Sequence, residues 1–139
     1  MKRALPAGDH YFSGDKAVAE AAITTKIGYF ARYPITPATE ILERVSLRFN
    51  EIGSVFMQME DEITSICSCL GALWARAKAM TVTLGPGFSL MQEAISYAVM
   101  TETPVIIVDA HRAGPSIGQA TRVGSGDIMQ AKWGSIGGA

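Results

Sequence analysis

Four short apolar runs that alternate with helical patterns constrain this chain more than any other feature. They lie at 27–31, 54–59, 79–84 and 105–110. Between them apolar residues recur at three- and four-residue spacing, the period of an amphipathic helix. That rhythm is the signature of β/α units around a parallel sheet. The expected fold is α/β: a doubly wound, mainly parallel sheet with helices on both faces.

Local signals place the helices. Ser13 or Asp15 can cap a first helix over 16–25, on which Val18, Ala21, Ala22 and Thr25 mark one face. Thr36 as N-cap, with Pro37 at the first helical position, predicts a second over about 37–50 with Ile41, Leu42, Val45 and Phe49 as its stripe. A third opens at Glu60-Asp61-Glu62, and its body over 63–76 is nearly apolar all round, which predicts a buried helix. After the turn Gly85-Pro86-Gly87, Ser89 and Gln92 have capping-box spacing for a helix to about Met100. The run at 105–110 reads as a parallel strand covered on both faces. From Ala113 periodicity fades, and half of the 14 glycines fall in 113–139, so this segment is expected to be a Gly-rich loop. With no final element to close the sheet, 1–139 reads as one domain truncated at its C-terminus.

Composition excludes several functions. At 139 residues there is room for one core, and a 48% hydrophobic, 18% charged chain predicts area held against another domain or subunit. A net charge of −1, with scattered Lys and Arg, leaves no footprint for nucleic acid. No apolar run approaches the roughly 18 residues of a membrane span, and the chain reads as cytoplasmic. Cys67 and Cys69 lack the further ligands of a zinc or iron–sulfur site and read as buried small hydrophobes, so no metal site is expected in this chain. His10 and His111 suit no hydrolytic triad.

In an open parallel sheet, ligands bind beyond the carboxyl ends of the strands. The junctions there are 33–36, 58–62, 84–88 and 111–116. Gly85-Pro86-Gly87 has neither dinucleotide-fingerprint spacing nor a phosphate-loop lysine, and on spacing alone it is a sterically crowded bend. Asp61 and Glu62 read as first-turn acids favoured by the helix dipole. Glu60 follows directly on an apolar strand, is expected to point into the crevice with limited solvent, and is the acid/base candidate.

Taken in order, Tyr33-Pro34-Ile35-Thr36-Pro37, Gln58-Met59-Glu60-Asp61-Glu62, Leu84-Gly85-Pro86-Gly87-Phe88, Arg112-Ala113-Gly114-Pro115-Ser116 and Gly126-Asp127-Ile128-Met129-Gln130 resemble alpha subunits of 2-oxoacid:ferredoxin oxidoreductases, the 2-oxoglutarate and branched-chain types especially. The resemblance implies the pyrimidine-binding domain of a thiamine diphosphate enzyme, which oxidatively decarboxylates a 2-oxoacid to acyl-CoA and reduces ferredoxin. It implies Glu60 at N1′ of the aminopyrimidine, where a shared proton promotes loss of the thiazolium C2 proton. Pro34, Gly85, Pro86 and Gly87 would flank the cofactor, Thr36 would contact substrate, and Arg112 would face the 2-oxoacid carboxylate with its planar fork. No Gly-Asp-Gly followed by Asn occurs, so the Mg²⁺ and diphosphate half is expected on a beta subunit, with iron–sulfur clusters on partner regions. The sequence departs from the family pattern at Leu84, Ile117, Ser125 and Ile136, among others. Two other readings stay open: the same domain in a non-oxidative thiamine-dependent decarboxylase or synthase, and a non-catalytic scaffold subunit.

Overall fold

The structure is a computed structural model that describes residues 5–135. Four parallel strands, β1 (Tyr29–Arg32), β2 (Val55–Gln58), β3 (Ala79–Thr83) and β4 (Ile106–Asp109), form one sheet in the order β2-β1-β3-β4. Helices α1 (Gly14–Thr24) and α2 (Thr39–Ile52) cover one face. On the other lie α3 (Glu62–Trp74), α4 (Gly85–Leu90) and α5 (Gln92–Met100). Going from β1 out to β2 the chain crosses on one face; returning past β1 to β3 and on to β4 it crosses on the other. Right-handed crossovers require this change of side when the direction of travel reverses. The doubly wound α/β architecture thus follows, with its switch point between β1 and β3.

The core is divided by the pleat. Phe30 points to the α1/α2 side, where Ile41, Val45 and Phe49 are fully buried and the Phe30 and Phe49 rings meet edge to face at 6.1 Å. Ala31 points the other way, against Cys69 and Ala79. The three α2 residues repeat every four positions, so a helix of period 3.6 keeps them on one stripe.

Several local expectations are corrected. Helix α2 starts at Thr39 after an Ala38 cap that makes no side-chain hydrogen bond, not at Thr36-Pro37. The cause is Arg32, whose guanidinium holds the carbonyls of Tyr33, Ile35 and Ala38 and so fixes 33–38 as a loop. The helix expected from Ser89 is two helices, and Gly85-Pro86-Gly87 forms the first turn of α4. Ser89 and Gln92 donate from within these helices to the carbonyls of Gly85 and Phe88, so they are not a capping box.

Helix α3 is buried on one side only. Ile63 is 49% and Trp74 56% exposed, and Cys67, expected in the interior, is exposed while Cys69 is buried. Strand β4 has Ile106 at 46% exposure, because it is an edge strand with no outer neighbour among the described residues. Within the segment expected to be loop, Gly126–Trp133 forms α6, with Asp127 in its first turn and Lys132 in its last, the charges the helix dipole favours. Ile136 lies outside the described residues. No helix among them is long and apolar enough to cross a membrane.

Candidate functional site

The sheet opens where ligand binding is expected. Strand β1 pairs with β3 only at Tyr29–Ala79 and Phe30–Met80, whereas β1–β2 pairing runs to Arg32–Gln58 and β3–β4 pairing to Thr83–Asp109. The inner strands therefore part toward their carboxyl ends, at the switch point. A cavity of about 370 Å³ lies there, lined from all four junctions by Tyr33, Ile35, Glu62, Pro86, Gly87, Arg112, Ser116 and Ile117, with Leu90 beside them.

The acid in this cavity is Glu62, not Glu60. Glu60 sits in a bend after β2 and is exposed, so the expectation that it meets limited solvent is corrected. Its neighbour Asp61 is the N-cap of α3, its Oδ1 accepting the Thr64 N–H at 2.6 Å, and these hydrogen bonds hold its carboxyl below the usual range. With Asp61 outside as the cap, Glu62 at the first helical position turns inward, where it is 5% exposed. Burial raises the Glu62 pKa and the neighbouring Asp61 charge adds to the rise, while a backbone hydrogen bond and the Arg32 charge work against it. Helix-dipole reasoning placed Glu62 with Asp61 as a first-turn acid, because three consecutive acids have the same composition whichever of them is the cap.

Gly87 gives Glu62 its space. A Cβ at Gly87 would collide with Thr83 Oγ1 and stand 2.5 Å from Glu62 Oε1, and one at Gly85 would collide with the Arg112 carbonyl. Gly87→Ala is therefore expected to destabilise the fold by about 1–3 kcal/mol. By contrast Gly71→Ala, in α3 with nothing within 4 Å of a new Cβ, should stabilise it by roughly 0.5–1 kcal/mol. Urea unfolding midpoints of the two variants check this contrast; equal midpoints would show that α4 can move away from the new methyl.

Arg112 is 7% exposed and lines the same cavity. Its Nη1 donates to the Thr36 carbonyl at 3.2 Å and its Nη2 to the Ile117 carbonyl, so it ties the β1 loop to the loop after β4. Thr36 itself is exposed and reaches Arg112 through its backbone, while Pro34 is half-buried. Sequence reasoning missed Arg32. It is wholly buried, and desolvation lowers its guanidinium pKa to about 10. The visible signal was a charged residue ending an apolar strand.

A second group missed from the sequence joins β4 to α6. His111 Nδ1 lies 2.8 Å from Asp127 Oδ1 and 3.9 Å from Asp109 Oδ2. Burial, with Asp127 alongside, pushes the Asp109 carboxyl up to about 6.

Fold and crevice together define a doubly wound α/β domain with a cavity at the carboxyl ends of its strands. Residues 20–137 match the family of pyruvate flavodoxin/ferredoxin oxidoreductase, thiamine diP-binding, domains, and the chain belongs to that family. It is 52% identical over 127 residues to the 2-oxoglutarate synthase subunit KorA of Methanocaldococcus jannaschii, covering 91% of this chain and 35% of that protein. The 2-oxoglutarate oxidoreductase subunit KorA of Mycobacterium tuberculosis is 40% identical, over 96% of this chain and 21% of its own length. Among solved structures, the 2-oxoglutarate:ferredoxin oxidoreductase of Magnetococcus marinus, with 2-oxoglutarate, coenzyme A and succinyl-CoA bound, superposes with a TM-score of 0.87 at 42% identity, over 91% of this chain and 22% of that one. The chain spans about a third of the length of the curated KorA relative from Methanocaldococcus jannaschii.

Proposed function

We propose that this chain supplies the aminopyrimidine half of a thiamine diphosphate site in a 2-oxoacid:ferredoxin oxidoreductase, with Glu62 in the role first expected of Glu60. The observation that carries it is a carboxyl 5% exposed, with a pKa raised by burial, opening on the cavity at the switch point. A carboxyl in that state is suited to share a proton with a ring nitrogen. The group fits these residues: Gly87 clears the space beside Glu62 Oε1. Pro34, Gly85 and Pro86 would flank it. Thiamine diphosphate, when bound, supplies the carbon nucleophile for 2-oxoacid decarboxylation.

The remaining roles rest on the same reading. A guanidinium has five N–H groups, so Arg112 keeps donors beyond those given to Thr36 and Ile117 and would offer them to the 2-oxoacid carboxylate. Thr36 would stand beside it. The relatives named for 2-oxoglutarate favour 2-oxoglutarate as substrate, and the solved 2-oxoglutarate:ferredoxin oxidoreductase with coenzyme A and succinyl-CoA bound supports coenzyme A as acyl acceptor and ferredoxin as electron acceptor. A beta subunit would hold Mg²⁺ and the diphosphate, and iron–sulfur clusters would lie on partner regions. Two unpaired cysteines fit a cytoplasmic location.

The test is reconstitution. With its beta subunit, the complex is expected to reduce ferredoxin or a viologen only when 2-oxoglutarate and coenzyme A are both present. The chain alone should be inactive and bind thiamine diphosphate weakly in calorimetry. Decarboxylation without electron transfer by the complex would point to a non-oxidative thiamine enzyme, and tight binding of cofactor and Mg²⁺ to the chain alone would refute the divided site.

A further inference from the structure

We propose that Asp109, His111 and Asp127 form a binding site for one first-row divalent transition-metal cation. The inference does not depend on the thiamine reading. Each residue offers one ligand atom, and these atoms all lie within 4.8 Å of one another. Around a single cation, bonds of about 2.0–2.2 Å hold ligand atoms roughly 3–4 Å apart. The Nδ1 to Asp109 Oδ2 distance of 3.9 Å already fits, and the 2.8 Å from Nδ1 to Asp127 Oδ1 fits after a small opening. The space now bridged by a hydrogen bond would be taken by the ion.

The independent observation is an unmet need for a positive partner. Asp127 is 6% exposed, and its Oδ2 is buried with no hydrogen-bond partner. Asp109 Oδ2 is likewise buried without a hydrogen-bond partner. A buried and a half-buried carboxylate this close repel unless a proton or a cation stands between them. The guanidinium of Arg112 makes its hydrogen bonds to the carbonyls of Thr36 and Ile117, and neither aspartate is among the partners it reaches.

Chemistry selects the class of ion. One imidazole and two carboxylates suit Zn²⁺, Mn²⁺ or Co²⁺, whereas Mg²⁺ favours an all-oxygen shell. Two carboxylates with a neutral imidazole also balance a divalent charge. Access is open, since Asp127 borders a cavity of about 360 Å³ with Gly85, Ala113 and Gly126, where water can complete the coordination. One ion would then clamp the end of β4 to the first turn of α6.

Equilibrium dialysis of the full chain against Zn²⁺ or Mn²⁺, with metal counted by mass spectrometry, tests the site. One equivalent is expected to bind with a dissociation constant of about 10 μM or tighter. His111→Ala and Asp127→Asn should each weaken it by about tenfold or more, with far-UV circular dichroism unchanged. Should the variants fail to fold, the parent chain still decides: bound Mn²⁺ must broaden the His111 ring proton resonances. Absence of saturable binding up to about 1 mM metal, affinity equal in all folded variants, or sharp His111 resonances with Mn²⁺ bound would overturn the proposal and leave a proton as the partner of the two carboxylates.

Discussion

In the assembled complex, Glu62→Gln is expected to slow exchange of the C2 hydrogen of bound thiamine diphosphate by about 10²–10⁴, the usual cost of losing a positioned acid/base. Glu60→Gln should leave the rate within a few-fold of the parent. Glutamine keeps the volume of the side chain and can still hydrogen-bond, so the cofactor should remain bound while the shared proton is lost. The contrast is sharp because the two acids stand two residues apart in sequence and on opposite sides of the helix cap: Glu62 faces the cavity, where burial raises its pKa, while Glu60 faces solvent. Exchange is read by acid quench and NMR after transfer to deuterated buffer. Were Glu60→Gln the slow variant, the crevice geometry would be misread and the sequence assignment restored. Were neither slow, the thiamine role of this cavity would have to be given up.

The sheet was legible in the sequence because period is a physical property of a buried face. The four apolar runs became β1 to β4, and the stripe of Ile41, Val45 and Phe49 became the buried side of α2. The details that failed depend on distant partners. Thr36-Pro37 has the composition of a helix start, yet the carbonyls around it are claimed by Arg32 from the end of β1. Ser89 and Gln92 have the spacing of a cap, yet close approach at Gly85 and Gly87 lets the helix begin four residues earlier. In Glu60-Asp61-Glu62 composition is the same under either assignment; only the observed cap at Asp61 decides which carboxylate turns inward. The Asp109, His111, Asp127 group could not be read from spacing, since 16 residues separate its histidine from Asp127 and the intervening segment lacks periodicity.

The largest stability effect is expected at Arg32, a residue that lines neither cavity. Its Nε reaches the Tyr33 carbonyl at 3.1 Å, its Nη2 the Ile35 carbonyl at 3.1 Å, and its Nη1 the Ala38 carbonyl. Two effects oppose each other in Arg32→Met. Removing the cation relieves its desolvation, the cause of its lowered pKa. Methionine replaces much of the stem's volume, but three carbonyls in and beside the loop lose their donor. A buried acceptor left unpaired costs about 1–3 kcal/mol. Replacing a buried charge by an apolar group is close to neutral only when its partners are removed as well. Here the partners are backbone and stay, so the loss is expected to win by about 3 kcal/mol or more, a fall in melting temperature of roughly 10 °C for a chain of this size. Arg32→Lys should recover part of it, because a compact ammonium cannot reach three carbonyls spread along the loop. The effect should also reach the cavity, since the same loop carries Tyr33 and Ile35 in its wall and presents the Thr36 carbonyl to Arg112. Thermal melts of the two variants, with cofactor affinity measured in the complex, provide the check. If Arg32→Met melts within about 2 °C of the parent, less than roughly 1 kcal/mol, water satisfies the three carbonyls and the loop does not depend on the guanidinium.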